Sequence, residues 1–104
     1  MLEKLQALEE KYEELNRQMS DPDILSDPSS YKKLAKAHSD LSEVVGKYRQ
    51  FRQVTAELED AQAMLDEPQD ADFEAMLDEE IQVLTETKER LQEELQVLLL
   101  PKDP

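Results

Sequence analysis

Residues 66–73 read Asp66-Glu67-Pro68-Gln69-Asp70-Ala71-Asp72-Phe73, and they interrupt an otherwise helical pattern that runs through the second half of the chain. Proline offers no backbone donor and pushes the residue before it away from helix. Asp70 and Asp72 suit the opening of a new helix, where unpaired amides and the helix dipole favour negative charge. One helix therefore ends near residue 66 and another begins near 71. A short connection makes such neighbours antiparallel, so the stretch predicts a helical hairpin with residues 66–72 at its tip.

On the C-terminal side of the tip, Leu77, Ile81, Leu84, Leu91, Leu95 and Leu98 recur at helical spacing. Lys88 fills the one polar slot in that row and is expected to snorkel to solvent. Helix three should run over about 71–100 and stop at Pro101. Leu99 and Leu100 widen its apolar face where a neighbour could cover it, and residues 101–104 read as the start of a linker. On the N-terminal side, Tyr31, Leu34, His38, Leu41, Val45 and Tyr48 are followed by Phe51, Val54, Leu58, Ala61 and Leu65. The consecutive steps of three near Phe51 form a stammer-like slip, which overwinds a coiled coil locally. A single helix two over about 28–66 would be roughly 55 Å long, against about 26 Å across for a compact monomer of this length.

Further back, Leu2, Leu5, Leu8, Tyr12, Leu15 and Met19 share one helical face, giving helix one over about 2–19. It ends where Ser20-Asp21-Pro22 is echoed by Ser26-Asp27-Pro28. Asp before Pro is a good N-cap and N1 pair, so the connection 20–27 can hold one short helical turn, and the second pair opens helix two. Ile24 and Leu25 are expected to pin this connection. The predicted fold is all-α: an elongated, coiled-coil-like antiparallel hairpin with a shorter N-terminal helix completing a three-helix bundle at one end.

Composition agrees with long helices. The 104 residues include one glycine and five aromatics, while 37% are charged, too little turn chemistry for a sheet protein. The length supports one modest core. No cysteine is present, so disulfides and thiolate metal sites are excluded. The start lacks a signal-peptide pattern and no run reaches the ~20 apolar residues of a membrane span, which gives the expectation of a cytosolic protein.

The net charge of −14 is unevenly spread: −5 over residues 1–30, +4 over 31–54 and −13 over 55–104. The positive segment lies where both acidic helices would run beside it. Exposed ion pairs are worth only about 0.2–1 kcal/mol each, so this pattern selects register more than it stabilises. Lys32, Lys33, Lys36, Lys47, Arg49 and Arg52 could contact RNA phosphates, but neutralisation within the bundle is the simpler reading.

Catalytic equipment is not legible. The carboxylates fall on predicted solvent faces, whereas a site needs convergent, partly buried groups. The tip has no glycine and no alternating ligand pattern, so a calcium loop is not indicated. His38, the one histidine, sits in a core row and reads as packed rather than catalytic. No cofactor, metal site or small-molecule substrate is expected. Gly46 costs about 1 kcal/mol relative to alanine in a helix; close helix packing is favoured over a bend as its reason. Phe73 reads equally as an apolar plug or as an anchor for a partner.

Beyond these physical readings, the chain resembles a known family. LEKLQALEEKYEELNRQMSDPDILSD (2–27), YKKLAKAHSDLSEVVGKYRQF (31–51) and LQVLLLPKDP (95–104, with Gln96 following Leu95) carry the likeness. Ser20-Asp21-Pro22, Ala37-His38-Ser39-Asp40-Leu41 and Leu98-Leu99-Leu100-Pro101-Lys102-Asp103-Pro104 are its most specific parts. Together they resemble the N-terminal helical domain of the bacterial peptide chain release factor 1 family. The resemblance implies a piece, residues 1–104, of a longer factor that directs translation termination at UAA and UAG. Gly46 being the one glycine, the family's Gly-Gly-Gln loop is missing, as is its Pro-x-Thr codon-reading tripeptide. The codon-recognition and hydrolytic domains are therefore absent and no catalytic residue carries over. What the resemblance does imply is noncatalytic docking on the ribosome at the stalk base, or GTPase-associated region, of the large subunit. Functional coupling to the class II release factor is implied as well. The contact zone is expected at Met64, Asp66, Glu67, Pro68, Asp70, Asp72 and Phe73. The alternative is a freestanding acidic coiled-coil adaptor or holdase that binds partner helices, and self-association through exposed seams is compatible with either.

Overall fold

The computed structural model describes residues 1–102; Asp103 and Pro104, the end of the expected linker start, lie outside the described residues. Among the described residues the protein is all-α, with helices α1 (Leu2–Met19), α2 (Pro22–Leu25), α3 (Pro28–Leu65) and α4 (Ala71–Leu98) and no strand. The chain divides into two compact units, Met1–Gly46 and Lys47–Pro104, with α3 contributing to both.

In the first unit, the two Asp-Pro pairs act as helix starts. Asp21 caps α2 by accepting the Asp23 N–H at 2.9 Å, with Pro22 at the first helical position. Asp27 plays the same part ahead of Pro28 and accepts the Ser30 hydroxyl at 2.8 Å. That hydrogen bond, joined by the backbone amide of Ser30, holds the Asp27 carboxyl below its ordinary range. α1 buries Leu5 and Leu15, and α3 buries Val44 and Val45. His38 stacks on Tyr12, with ring centroids 4.2 Å apart and planes 20° from parallel. The imidazole is thus a packing element, and its Nε2 is buried without a hydrogen-bond partner among the described residues. Of the two residues expected to pin the connection, Ile24 is half-buried, but Leu25 is 57% exposed. The α2 turn is only one turn long, so two adjacent side chains cannot both face inward.

In the second unit, Lys47–Leu65 of α3 and α4 form the antiparallel hairpin. Lys47 Nζ lies 2.5 Å from Glu94 Oε2, and Lys88 Nζ lies 5.8 Å from the centre of the Phe51 ring. As the α3 position rises the α4 position falls, which defines the direction and register of the pair. Leu58, Ala61, Leu77 and Leu84 make the buried centre, with Val54, Leu65, Phe73 and Ile81 packed against it. Phe51, Leu91 and Leu95 are also buried. The slip near Phe51 does not break the helix, which is continuous from Pro28 to Leu65.

Several side chains depart from the sequence reading. Lys88 does not simply snorkel: its ammonium sits over the Phe51 ring, a cation–π contact of about 0.5–1 kcal/mol at such a site. α4 ends at Leu98 with Leu99 as its cap, two residues before the expected stop. Pro101 disfavours helix at Leu100, and its ring would meet the carbonyl of residue 97 in a continued helix. Leu100 is in consequence 63% exposed and does not extend a covered face.

Gly46 is also not explained by close packing, because a Cβ placed there would meet no atom within 4 Å among the described residues. Its backbone is ordinary helix without positive φ. Gly46→Ala is therefore expected to stabilise the chain by up to about 1 kcal/mol by restricting the unfolded state. In a domain of this size that raises the melting temperature by about 4–8 °C, measurable by circular dichroism. A lowered melting temperature would mean that the position needs glycine.

Candidate functional site

The hairpin tip is built by local hydrogen bonds rather than by a packed core. α3 closes with Asp66 N–H donating to the Gln62 carbonyl at 3.2 Å and Glu67 N–H to the Met64 carbonyl at 3.2 Å. The Gln69 side-chain amide donates to the same Met64 carbonyl at 3.1 Å and draws the turn back on the helix end. α4 opens on Asp70, whose carboxylate accepts the Phe73 N–H at 2.8 Å. Asp72 and Glu74 follow in the first turn, where the helix dipole favours them.

The residues expected to make contact do not behave alike. Asp66, Glu67, Pro68 and Asp72 are exposed. Met64 is 43% exposed at the end of α3. Asp70 is exposed but occupied as a cap. Phe73 is half-buried against the leucine cluster, so it plugs the end of the hairpin and presents only part of its ring. Two residues were not visible as site components beforehand. Gln69 closes the turn, which no periodicity signals, and Met76 is 53% exposed one position before the buried Leu77.

The cap makes a separate prediction. Asp70→Ala removes the acceptor of the Phe73 amide and is expected to cost about 1 kcal/mol. Asp70→Asn, which keeps a capping oxygen, should restore most of it. Equal losses for both variants in urea unfolding would show that Asp70 acts by charge rather than as a cap.

Further along the hairpin the two helices leave an open groove lined by Arg49, Gln50, Gln53, Val54, Thr87, Arg90 and Leu91. Arg90 donates to Glu94 at 2.7 Å, and Glu94 also pairs with Lys47 across the hairpin. The hydrogen bond from Lys47, and then that from Arg90, holds the Glu94 carboxyl below its ordinary range. The contribution of this pair is present above the ordinary glutamate range and fades as pH falls through the lowered value. Among the described residues no group of three or more His, Asp or Glu side chains is placed to hold a metal ion. Among the described residues no helix is long and apolar enough to cross a membrane.

Comparison with known proteins adds a family to this geometry. Residues 8–104 match the PCRF domain. Over all 104 residues the chain is 51% identical to peptide chain release factor 1 of Syntrophomonas wolfei. It is 45% identical to that of Carboxydothermus hydrogenoformans and 46% identical to that of Bacillus subtilis, again over the whole chain. In each case it spans 29% of the relative's length. No solved structure matches it significantly.

Proposed function

Since this chain belongs to the PCRF-domain family of peptide chain release factors, we propose that it is the noncatalytic ribosome-docking portion of a release factor that directs termination at UAA and UAG. The observation that carries the reading is the match itself. All of this chain corresponds to under a third of its relatives' length, and its one glycine leaves no Gly-Gly-Gln sequence within these 104 residues. Among the described residues the chain supplies a helical hairpin and no group of three or more His, Asp or Glu side chains placed to hold a metal ion.

In this reading the hairpin tip is the docking face and the large-subunit stalk base is its seat. Asp66, Glu67, Pro68 and Asp72 project from a turn that is fastened on both sides, by Gln69 to the end of α3 and by the Asp70 cap to the start of α4. A fastened turn loses little conformational freedom on binding, which favours docking. Positioning at the stalk base also places the domain where a class II release factor could sense it. The setting is the cytoplasm. Sedimentation of the labelled chain with purified ribosomal subunits tests the proposal. Pelleting with large subunits and not with small ones is expected; equal recovery with both, or with neither, would refute it.

A further inference from the structure

The apolar face of α4 is wider than its partner in the hairpin requires. Met76, Val83, Arg90 and Val97 each stand one position before a leucine of the core row, Leu77, Leu84, Leu91 and Leu98. Seven-residue spacing keeps each set on its own side of the helix. The leucines at 77, 84 and 91 are buried, whereas Met76, Val83 and Val97 are 53%, 61% and 65% exposed. A single packed neighbour needs only the inner row; exposed apolar residues beside it, at Met76, Val83 and Val97 though not at Arg90, suit a helix with two neighbours. Over Met76 and Val83 the second place is open to solvent.

Charge identifies what could fill it. From Gln53 to Thr87 the chain has no lysine, arginine or histidine and twelve aspartates and glutamates. Asp72, Glu79, Glu80 and Glu86 stand three or four positions from Met76 or Val83, and side chains so spaced are surface neighbours on a helix. The stripe is therefore an apolar strip walled by carboxylates. RNA phosphates would be repelled and offer no aliphatic surface. A second copy would bring the same twelve carboxylates against themselves. An amphipathic helix flanked by lysine and arginine satisfies both features at once.

We propose that the Met76–Val83 face of α4 is a docking seat for a basic amphipathic helix of a partner protein, which packs beside the hairpin as a third helix. This uses the flank of the hairpin and does not rest on the ribosome-docking reading.

A sign test separates apolar docking from general charge attraction. The probes are a fluorescent heptad peptide of leucine and lysine, a lysine peptide of equal charge without leucine, the leucine–glutamate counterpart and a single-stranded RNA. The leucine–lysine helix is expected to bind at near-physiological salt and to shift the Met76 methyl resonance, with the other probes at least about tenfold weaker. Val83→Glu should weaken binding about tenfold although it adds negative charge; Met76→Glu should do the same. Both sites are exposed, so circular dichroism should show unchanged folding. Equal or tighter binding by the glutamate variants would overturn the proposal, as would RNA binding as tightly as the helix. Self-association of the chain that Val83→Glu abolishes would also overturn it, because the seat would then belong to a second copy.

Discussion

Leu77→Ala is expected to remove about 2–5 kcal/mol from the stability of the hairpin, the usual cost of truncating a fully buried leucine. Leu77 is 2% exposed and shares its cluster with Leu58, Ala61 and Leu84. Two helices cannot easily collapse onto the space it leaves, because Phe73 and Ile81 already pack against the same cluster from α4. Domains of this kind hold about 5–15 kcal/mol in total, so the variant should unfold at much lower urea and sit close to the edge of folding. Val83→Ala, at a site 61% exposed on the same helix, should change stability by no more than about 0.5 kcal/mol. Similar losses for the two variants would mean that the buried and exposed rows are wrongly assigned.

The second large effect is expected at the tip. Asp66→Lys with Glu67→Lys reverses two exposed charges without touching the Asp70 cap or the Gln69 amide that fasten the turn. Lysine just past a helix C-terminus is favourable to the helix dipole, so the fold should be unharmed. If the acidic tip meets positively charged groups at the stalk base, binding to large subunits should fall by about tenfold, or 1.4 kcal/mol. The loss should shrink as salt rises, since exposed charges are screened. Unchanged or tighter binding would move the contact away from the tip or make it one to RNA phosphate.

These two experiments rest on parts of the molecule that differ in how readable they were. The all-α hairpin was legible because its signals are local. Pro22, Pro28, Pro68 and Pro101 disfavour helix at the residue before each of them, Asp21 and Asp70 carry acceptors where amides need them, and the leucine spacing marks the inner face. Side-chain environments were less legible, because periodicity gives the direction of a side chain but not the number of neighbours that cover it. Leu25 and Leu100 look like core residues by type and are exposed. Gly46 looks like a close-packing glycine and has open space around its Cα. Lys88 could be placed in the apolar row, yet its position over Phe51 depends on the register of two helices. Gln69, whose amide closes the tip, carries no pattern of its own.

The central claim is that the hairpin tip seats on the large-subunit stalk base. The chain has no cysteine, so Glu67→Cys gives a unique attachment point for a photocrosslinker at the exposed turn, and Lys4→Cys on α1, which is not part of the tip, supplies a control. After irradiation with intact ribosomes, the account predicts crosslinks from position 67 to stalk-base components of the large subunit, with few or none from position 4. Crosslinks from position 67 to the small subunit, or equal yields from both positions, would contradict it.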